Sequence, residues 1–486
     1  METRIERDSL GEMTVPADAL YGASTARAVV NFPVSGMRAH PAFLWATLAI
    51  KKAAARVNRD LGEFRARQER NPDAFRGRNP DEVANAIIQA ADEIMRDLTD
   101  NHGAVYGKQF VVDVYQAGAG TSHNMNVNEV LANRAIQILG GQPGDRALVD
   151  PNDHVNMGQS TNDVIPTAMR LAALRLLQEL YPALAGLAEA FDAKGQEFHE
   201  IVKSGRTHLQ DAVPMRLGQE FHAWAVTVRK NLTRLQLAQK ELEELGIGGN
   251  AIGTSINTQP GFPQRMAQAL MEDTGFNLYS GEDLIELCQN TDAFVVVSAA
   301  LRTLALDLNR IANDLRLLSS GPNTGLAEIE LPPVQPGSSI MPGKVNPVMA
   351  EMLNMVCYQV LGNDTVVAMA SQAGQLELNV MMPVMAHNLN QSLTILTNAT
   401  RLFAARCVAG ITADSERCAY YLEHSMGLAT ALNPVIGYIN AARVVKRAQA
   451  EGKSIKEVVL EEGILSAEEF DRLIAQSVGG QQPAGH

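Results

Sequence analysis

Residues 294–318 read FVVVSAALRTLALDLNRIANDLRLL. Phe294, Val297, Leu301, Leu304, Leu308, Ile311, Leu315 and Leu318 recur at spacings that alternate three and four. That is the period of one helix face, and its unbroken alternation marks the seam of a bundle or coiled coil. Working outward, Ile165, Met169, Ala172, Leu176, Leu180, Leu184, Leu187 and Phe191 repeat the same period, and Pro182 is expected to kink or split that helix. Phe221, Trp224, Val228, Leu232 and Leu235 continue the pattern, as do residues 348–370 and 384–407. Five helices of roughly 25–35 residues would each run about 35–50 Å, so the fold expected is mostly α, built on a long central helical bundle. The 294–318 seam is also expected to meet other subunits and form an oligomer, with a purely intramolecular bundle as the alternative.

Residues 3–16 predict two short strands around the turn-like Asp8-Ser9-Leu10-Gly11. Residues 41–60 and 81–99 predict helices, and the Arg-, Asp- and Pro-rich stretch 61–82 between them reads as a solvated loop or insertion. Residues 416–486 read as a small helical tail, with the terminal VGGQQPAGH as a disordered end. The expected division is therefore 1–160, an N-terminal domain; 161–415, the central long-helix domain; and 416–486, a small C-terminal domain. No internal repeat stands out.

A chain of 486 residues exceeds one ordinary core. Hydrophobic residues at 46% and charged residues at 20% exclude global disorder, and aromatics at only 5% favour helices over sheets. Lys and Arg number 41 against 54 Asp and Glu, a net charge of −13. Such a chain repels phosphates and anionic lipid, so neither nucleic acid nor membrane is an expected partner. Cys288, Cys357, Cys407 and Cys418 form no CxxC and fit no zinc spacing; buried free thiols in a reducing cytosol are the expectation. METRIERDSLGEM lacks the apolar core of a signal peptide, and no apolar run reaches 18 residues, so a cytoplasmic location is expected.

Polar, glycine-rich islands interrupt the helices: 116–128 (QAGAGTSHNMNVN), 152–163 (NDHVNMGQSTND), 204–214 (SGRTHLQDAVP), 246–263 (GIGGNAIGTSINTQPGFP) and 332–347 (PPVQPGSSIMPGKVNP). Gly118, Gly120 and His123 imitate a dinucleotide fingerprint, but the third glycine is missing and no βαβ pattern follows. Gly337–Lys344 imitates a phosphate loop, but it is one residue too long and Val345 replaces the hydroxyl that would hold magnesium. No metal motif occurs, so neither a metal nor another cofactor is expected.

What remains is rich in hydroxyls and amides: Thr121, Ser122, Asn124, Ser160, Thr161, Asn162, Thr207, His208, Ser338, Ser339, Lys344 and Asn346. Singly, each reads best as a helix cap. Together, beside Arg206, His208 and Lys344, they describe sites for a small molecule with two carboxylates. The 332–347 loop carries prolines at 332, 333, 336, 342 and 347 and glycines at 337 and 343, the punctuation of a mobile lid.

Gly337-Ser-Ser-Ile-Met-Pro-Gly-Lys-Val-Asn-Pro347 resembles the GSSxMPxKxNP signature of the aspartase/fumarase superfamily, and the other islands follow in that family's order over about residues 3 to 475. The resemblance implies an almost wholly helical three-domain fold. It also implies homotetramers in which each active site draws on three subunits. It makes Ser338 the catalytic base that takes a proton beside a carboxylate, leaving an aci-carboxylate. It makes Lys344, Asn346 and Ser339 carboxylate holders, and places Thr121, Ser160, Thr161 and Asn162 around the leaving group and second carboxylate. Thr207 and His208 supply a third segment, with His208 catalytic and oriented by Glu351.

Within the family, water and ammonia are the alternative leaving groups. Ala119-Gly-Thr-Ser122, Thr161, Val112-Asp-Val-Tyr-Gln116 and the NFPVSG at 31–36 resemble the ammonia-releasing members, and Asp150-Pro-Asn-Asp153 lacks the histidine that hydratases often place before that proline. His208 and the MPGKVNP run occur in hydratases too. Asn250, Ser255 and Met381-Met382 depart from the family pattern. The resemblance thus implies reversible elimination of ammonia from L-aspartate to give fumarate. Fumarate hydration is the same-class alternative, and a non-catalytic protein on a lyase scaffold is the alternative of another class.

Overall fold

The computed structural model describes residues 2–478. The opening stretch lies in one helix, Asp292–Leu318, and its seam is interior: Phe294, Val297, Leu304, Leu308, Ile311 and Leu315 are fully buried. The chain therefore covers this seam itself, which corrects the expectation that the seam is offered to another subunit. The other periodic segments form Thr161–Glu197, Leu217–Gln239, Val348–Gln372 and Met382–Arg406. Pro182 does not split the first of these. A proline inside a helix forfeits one backbone hydrogen bond; here Leu180, Leu184 and Leu187, all fully buried, hold the helical register across it.

The chain divides into two compact units. The first contains the residues up to Tyr181, Thr233–Thr303 and Tyr358–Leu396. It opens with the antiparallel pair Thr3–Asp8 and Gly11–Pro16, as the turn signal predicted. Helices Pro41–Asp60 and Pro80–Asp100 both begin with proline, whose missing N–H costs nothing there. His40 Nδ1 and the Asn79 side chain cap them by accepting from Ala42 N and Asp81 N. The stretch 61–82 is not a solvated loop. It forms helix Glu63–Arg70 and a tight turn at Ala74–Gly77, and Phe64 and Phe75 sit at 0% exposure in a cluster with Leu48, Val83, Ile87 and Val155. Two aromatic anchors outweigh the polar composition around them.

The second unit contains Pro182–Leu232, Leu304–Cys357 and the residues from Thr397 onward. Phe191, Phe198, Phe221, Trp224 and Phe403 form its aromatic centre. Strands Val202–Thr207 and Gln210–Arg216 pair antiparallel. Near the C-terminus, Leu428–Ile436, Tyr438–Glu451, Ile455–Glu461 and Ala467–Ser477 surround a core of Leu432, Val444, Val458 and Phe470. Two capping boxes, Ser454 with Glu457 and Ser466 with Glu469, start the last two helices. The terminal stretch read as disordered lies, from residue 479, outside the described residues. All four cysteines are buried and free. Among the described residues no helix is long and apolar enough to cross a membrane.

Candidate active site

Two segments carry the predicted site residues of the first unit. Residues 118–120 form a turn in which Ala119 takes φ 60 and donates its N–H to the Val380 carbonyl at 2.8 Å. Gly120, at φ 87, then launches helix Thr121–Ile138, so Thr121 is exposed at a helix N-terminus. Ser160 likewise precedes Thr161–Glu197, and its Oγ accepts from Asn162 N at 3.3 Å. Thr161 and Asn162 are half-buried. The Thr161 hydroxyl accepts from Asn124 Nδ2 at 3.1 Å, and Asn162 Nδ2 donates to the Ala251 carbonyl at 2.8 Å. Two helix N-termini with adjacent hydroxyls suit an anion.

Asp163 holds this loop from behind. Its carboxylate accepts from Ser160 N at 2.9 Å, Gly248 N at 3.0 Å and Asn250 N at 2.9 Å. Burial pushes its carboxyl up to about 6, against those three amides. The 246–263 island is thereby tied to the 160–163 loop. In that island Ser255 takes φ 55, a region that favours glycine. Asp150 is saturated locally: it accepts from Asn152 N and Asp153 N, and pairs with Arg146 at 2.8 Å. Its neighbour donors are therefore already taken by an internal carboxylate.

A buried ring lies beside this loop. His123, at 3% exposure, stacks on Phe43 with centroids 4.4 Å apart. Thr47 donates its hydroxyl to the Phe43 carbonyl at 2.9 Å, so His123 Nε2–H donates to Thr47 Oγ1 at 2.9 Å. Burial, with nearby Lys51 adding to it, holds this imidazole down to about 3 from the ordinary 6.5. The sign follows. An unfolded chain takes up a proton as pH falls through about 6.5, whereas the folded chain does not until about 3, so stability is lost on acidification through that window. By about pH 5 the loss amounts to roughly 2 kcal/mol. Unfolding of wild type and His123→Gln at the two pH values checks this: the wild type loses about 2 kcal/mol more between about pH 7 and pH 5, and parallel losses contradict the assignment.

In the second unit, Thr207 and His208 sit at the tip of the Val202–Arg216 hairpin. His208 and Leu209 take φ 54 and φ 59, the left-handed pair of a tight two-residue turn that glycine or asparagine usually fills. The strain presents an exposed His208, and Leu209 beside it is 70% exposed. The strand below is anchored by buried charge. Lys203, 1% exposed, pairs with Glu328 at 2.7 Å and Glu220 at 3.1 Å, and Arg206 pairs with Glu328 at 2.8 Å. Arg206 was expected to add positive charge to an anion site. Its charge is instead consumed by Glu328, a carboxylate at 0% exposure that must be compensated.

The 332–347 segment has no helix or strand. Asn346 Nδ2 donates to the Gly337 carbonyl at 2.9 Å, and a Cβ on Gly337 would overlap the Lys344 carbonyl. These contacts close a neck, from which Ile340 (82% exposed), Met341 and Val345 project. Ser338 stands at the neck, and its Oγ accepts from Ile340 N and Met341 N, each at 3.3 Å. Two amide donors aimed at a serine oxygen favour its alkoxide over its alcohol. That support was invisible in the sequence, where only Lys344 and helix ends were apparent. Ser339 and Lys344 are exposed, and among the described residues no carboxylate lies within ion-pair range of Lys344. Among the described residues, no hydrogen bond or ion pair joins Ser338, Lys344 or Asn346 to Thr207 or His208, nor His208 to Glu351. No group of three or more His, Cys, Asp or Glu there is arranged to hold a metal ion.

The model of a lyase family matches residues 11–362 and that of the fumarase C C-terminus matches 428–476, so the chain belongs to this family of lyases. It is 44% identical to the aspartate ammonia-lyase of Bacillus subtilis over 97% of this chain and 95% of that one. It is 50% identical to the class II fumarate hydratase of Halobacterium salinarum over 96% of this chain and 94% of that one. Its fold matches the crystal structure of a fumarate lyase:delta crystallin from Brucella melitensis bound to cobalt, with TM-score 0.90, 47% identity, and 98% and 99% of the two chains covered. The protein is thus a lyase of the aspartase/fumarase type, and its mostly helical fold is that of the family.

Proposed function

We propose that this lyase removes ammonia from L-aspartate to give fumarate, reversibly. Ser338 Oγ takes a proton from C3. The C3–H electron pair is first held as an aci-carboxylate on the adjacent carboxyl group and then forms the C2–C3 double bond as the C2–N bond breaks. Lys344, Asn346 and Ser339 hold the charged carboxylate; Thr121, Ser160, Thr161 and Asn162 receive the ammonia and the other carboxylate; Thr207 and His208 complete the site. Preorganised donors facing such a dianion contribute several kcal/mol to the barrier reduction.

The observation that carries the reading is the necked loop, which aims two backbone amides at Ser338 Oγ while leaving Lys344 without an ion-pair partner among the described residues. A homotetramer with sites shared between subunits fits an exposed His208 hairpin. It also fits the apolar residues exposed on long helices, including Leu306 at 50%, Met355 at 64%, Tyr358 at 56% and Met369 at 60%. We place its three domains at 1–160, 161–415 and 416–486, and the enzyme in the cytoplasm, where buried free thiols persist.

The identity to a fumarate hydratase supports a second reading, hydration of fumarate to L-malate on the same residues. Supplying L-aspartate and L-malate separately, and following fumarate by its absorbance, decides between them. Fumarate is expected from L-aspartate alone; fumarate from L-malate alone overturns the first reading in favour of the second.

A further inference from the structure

Lys51 lies in the middle of helix Pro41–Asp60 and is fully buried. Its neighbour Lys52 finds Asp92 at 2.7 Å in the ordinary way of a surface lysine. Lys51 instead donates to two neutral amides, Asn156 Oδ1 at 2.7 Å and Gln159 Oε1 at 3.0 Å. Among the described residues no carboxylate lies within ion-pair range of it. A lysine that served the core alone would be better replaced by an apolar residue or paired with an acid. This one is surrounded by groups that lead to the 160–163 loop. Gln159 directly precedes Ser160. Asn156 Oδ1 also accepts from Asn124 Nδ2 at 3.3 Å and Asn128 Nδ2 at 3.2 Å, and Asn124 Nδ2 reaches Thr161 Oγ1 at 3.1 Å.

We infer that Lys51 is a positioning residue for the reaction proposed above: acting through Asn156, Gln159 and Asn124, its ammonium sets the Ser160–Thr161 hydroxyls and leaves a positive charge behind them for a doubly charged substrate. The inference rests on the dicarboxylate reading of that loop. Two titratable groups face Lys51. Asp163, from the start of Thr161–Glu197, spends its carboxylate on three backbone amides, and His123, from Thr121–Ile138, stays neutral. The charge on Lys51 is therefore uncancelled at contact range. Burial brings the ammonium down to about 7, with Asp163 opposing, so its charge is lost within an accessible range unless an anion binds nearby.

Succinate is the probe, because it cannot react and does not titrate above neutrality. In the wild type, calorimetric affinity for succinate is expected to fall about tenfold from about pH 6.5 to about pH 9. Lys51→Met, checked for helical content and assembly mass, is expected to bind about tenfold more weakly at the lower pH and to show no such pH dependence. It is also expected to raise KM for the substrate more than it lowers kcat. Wild-type affinity that is flat across this range overturns the inference even if the variant does not fold. A folded variant that binds succinate like the wild type overturns it as well. Failure of the wild type to turn over L-aspartate or L-malate would instead strike the functional reading.

Discussion

Ser338→Ala is expected to lower kcat for L-aspartate by about a thousandfold, the usual scale for removing a general base. Succinate affinity should stay within about threefold, because the lost group acts on the transition state and not on the bound ground state. The neck of the loop is set by Asn346 and Gly337, so alanine at 338 leaves its geometry in place. The Ile340 and Met341 amides lose their acceptor at an exposed position, where water replaces it at little cost. Steady-state kinetics beside calorimetry provide the check. Unchanged turnover, or equal losses in turnover and succinate affinity, contradicts the role of base.

Lys344→Met is expected to cost about 3 kcal/mol in kcat/KM, roughly a hundredfold, the scale of a hydrogen bond to a charged group. The loss should appear in both KM and kcat, since in the proposed mechanism the ammonium faces a carboxylate whose charge grows as C3–H breaks. Lys344 is exposed and its side chain supports nothing else among the described residues, so unfolding should move by less than about 0.5 kcal/mol. Lys344→Arg should not restore the activity, because a planar guanidinium is bulkier and differently directed than an ammonium. A variant within about threefold of wild type would remove Lys344 from the site.

Much of this molecule is written in its helical period. The seam from Phe294 to Leu318 announced a buried stripe because each of its side chains returns to one face, and the helix closes on all of them. The 337–347 run announced a segment without helix or strand because its prolines and glycines interrupt both. Other features were illegible for identifiable reasons. Phe64 and Phe75 are two aromatics in a polar stretch, and averaging over composition conceals such anchors. The pairing of Arg206 with Glu328 joins residues 122 apart, and nothing local foretells it. The Ile340 and Met341 amides that face Ser338 are backbone groups, which no residue pattern records. Lys51 looked like any lysine on an amphipathic helix; only its burial against Asn156 and Gln159 sets it apart from Lys52.

The central claim is that an alcohol on a necked loop becomes the base once the loop shuts over a dicarboxylate. A crystal structure of the assembled protein with succinate bound tests it most directly. The account predicts Ser338 Oγ within about 3–3.5 Å of the methylene carbon next to the carboxylate held by Lys344, the separation of a near-attack arrangement. A closed loop with that oxygen turned away from the methylene, and another basic atom in its place, would contradict it.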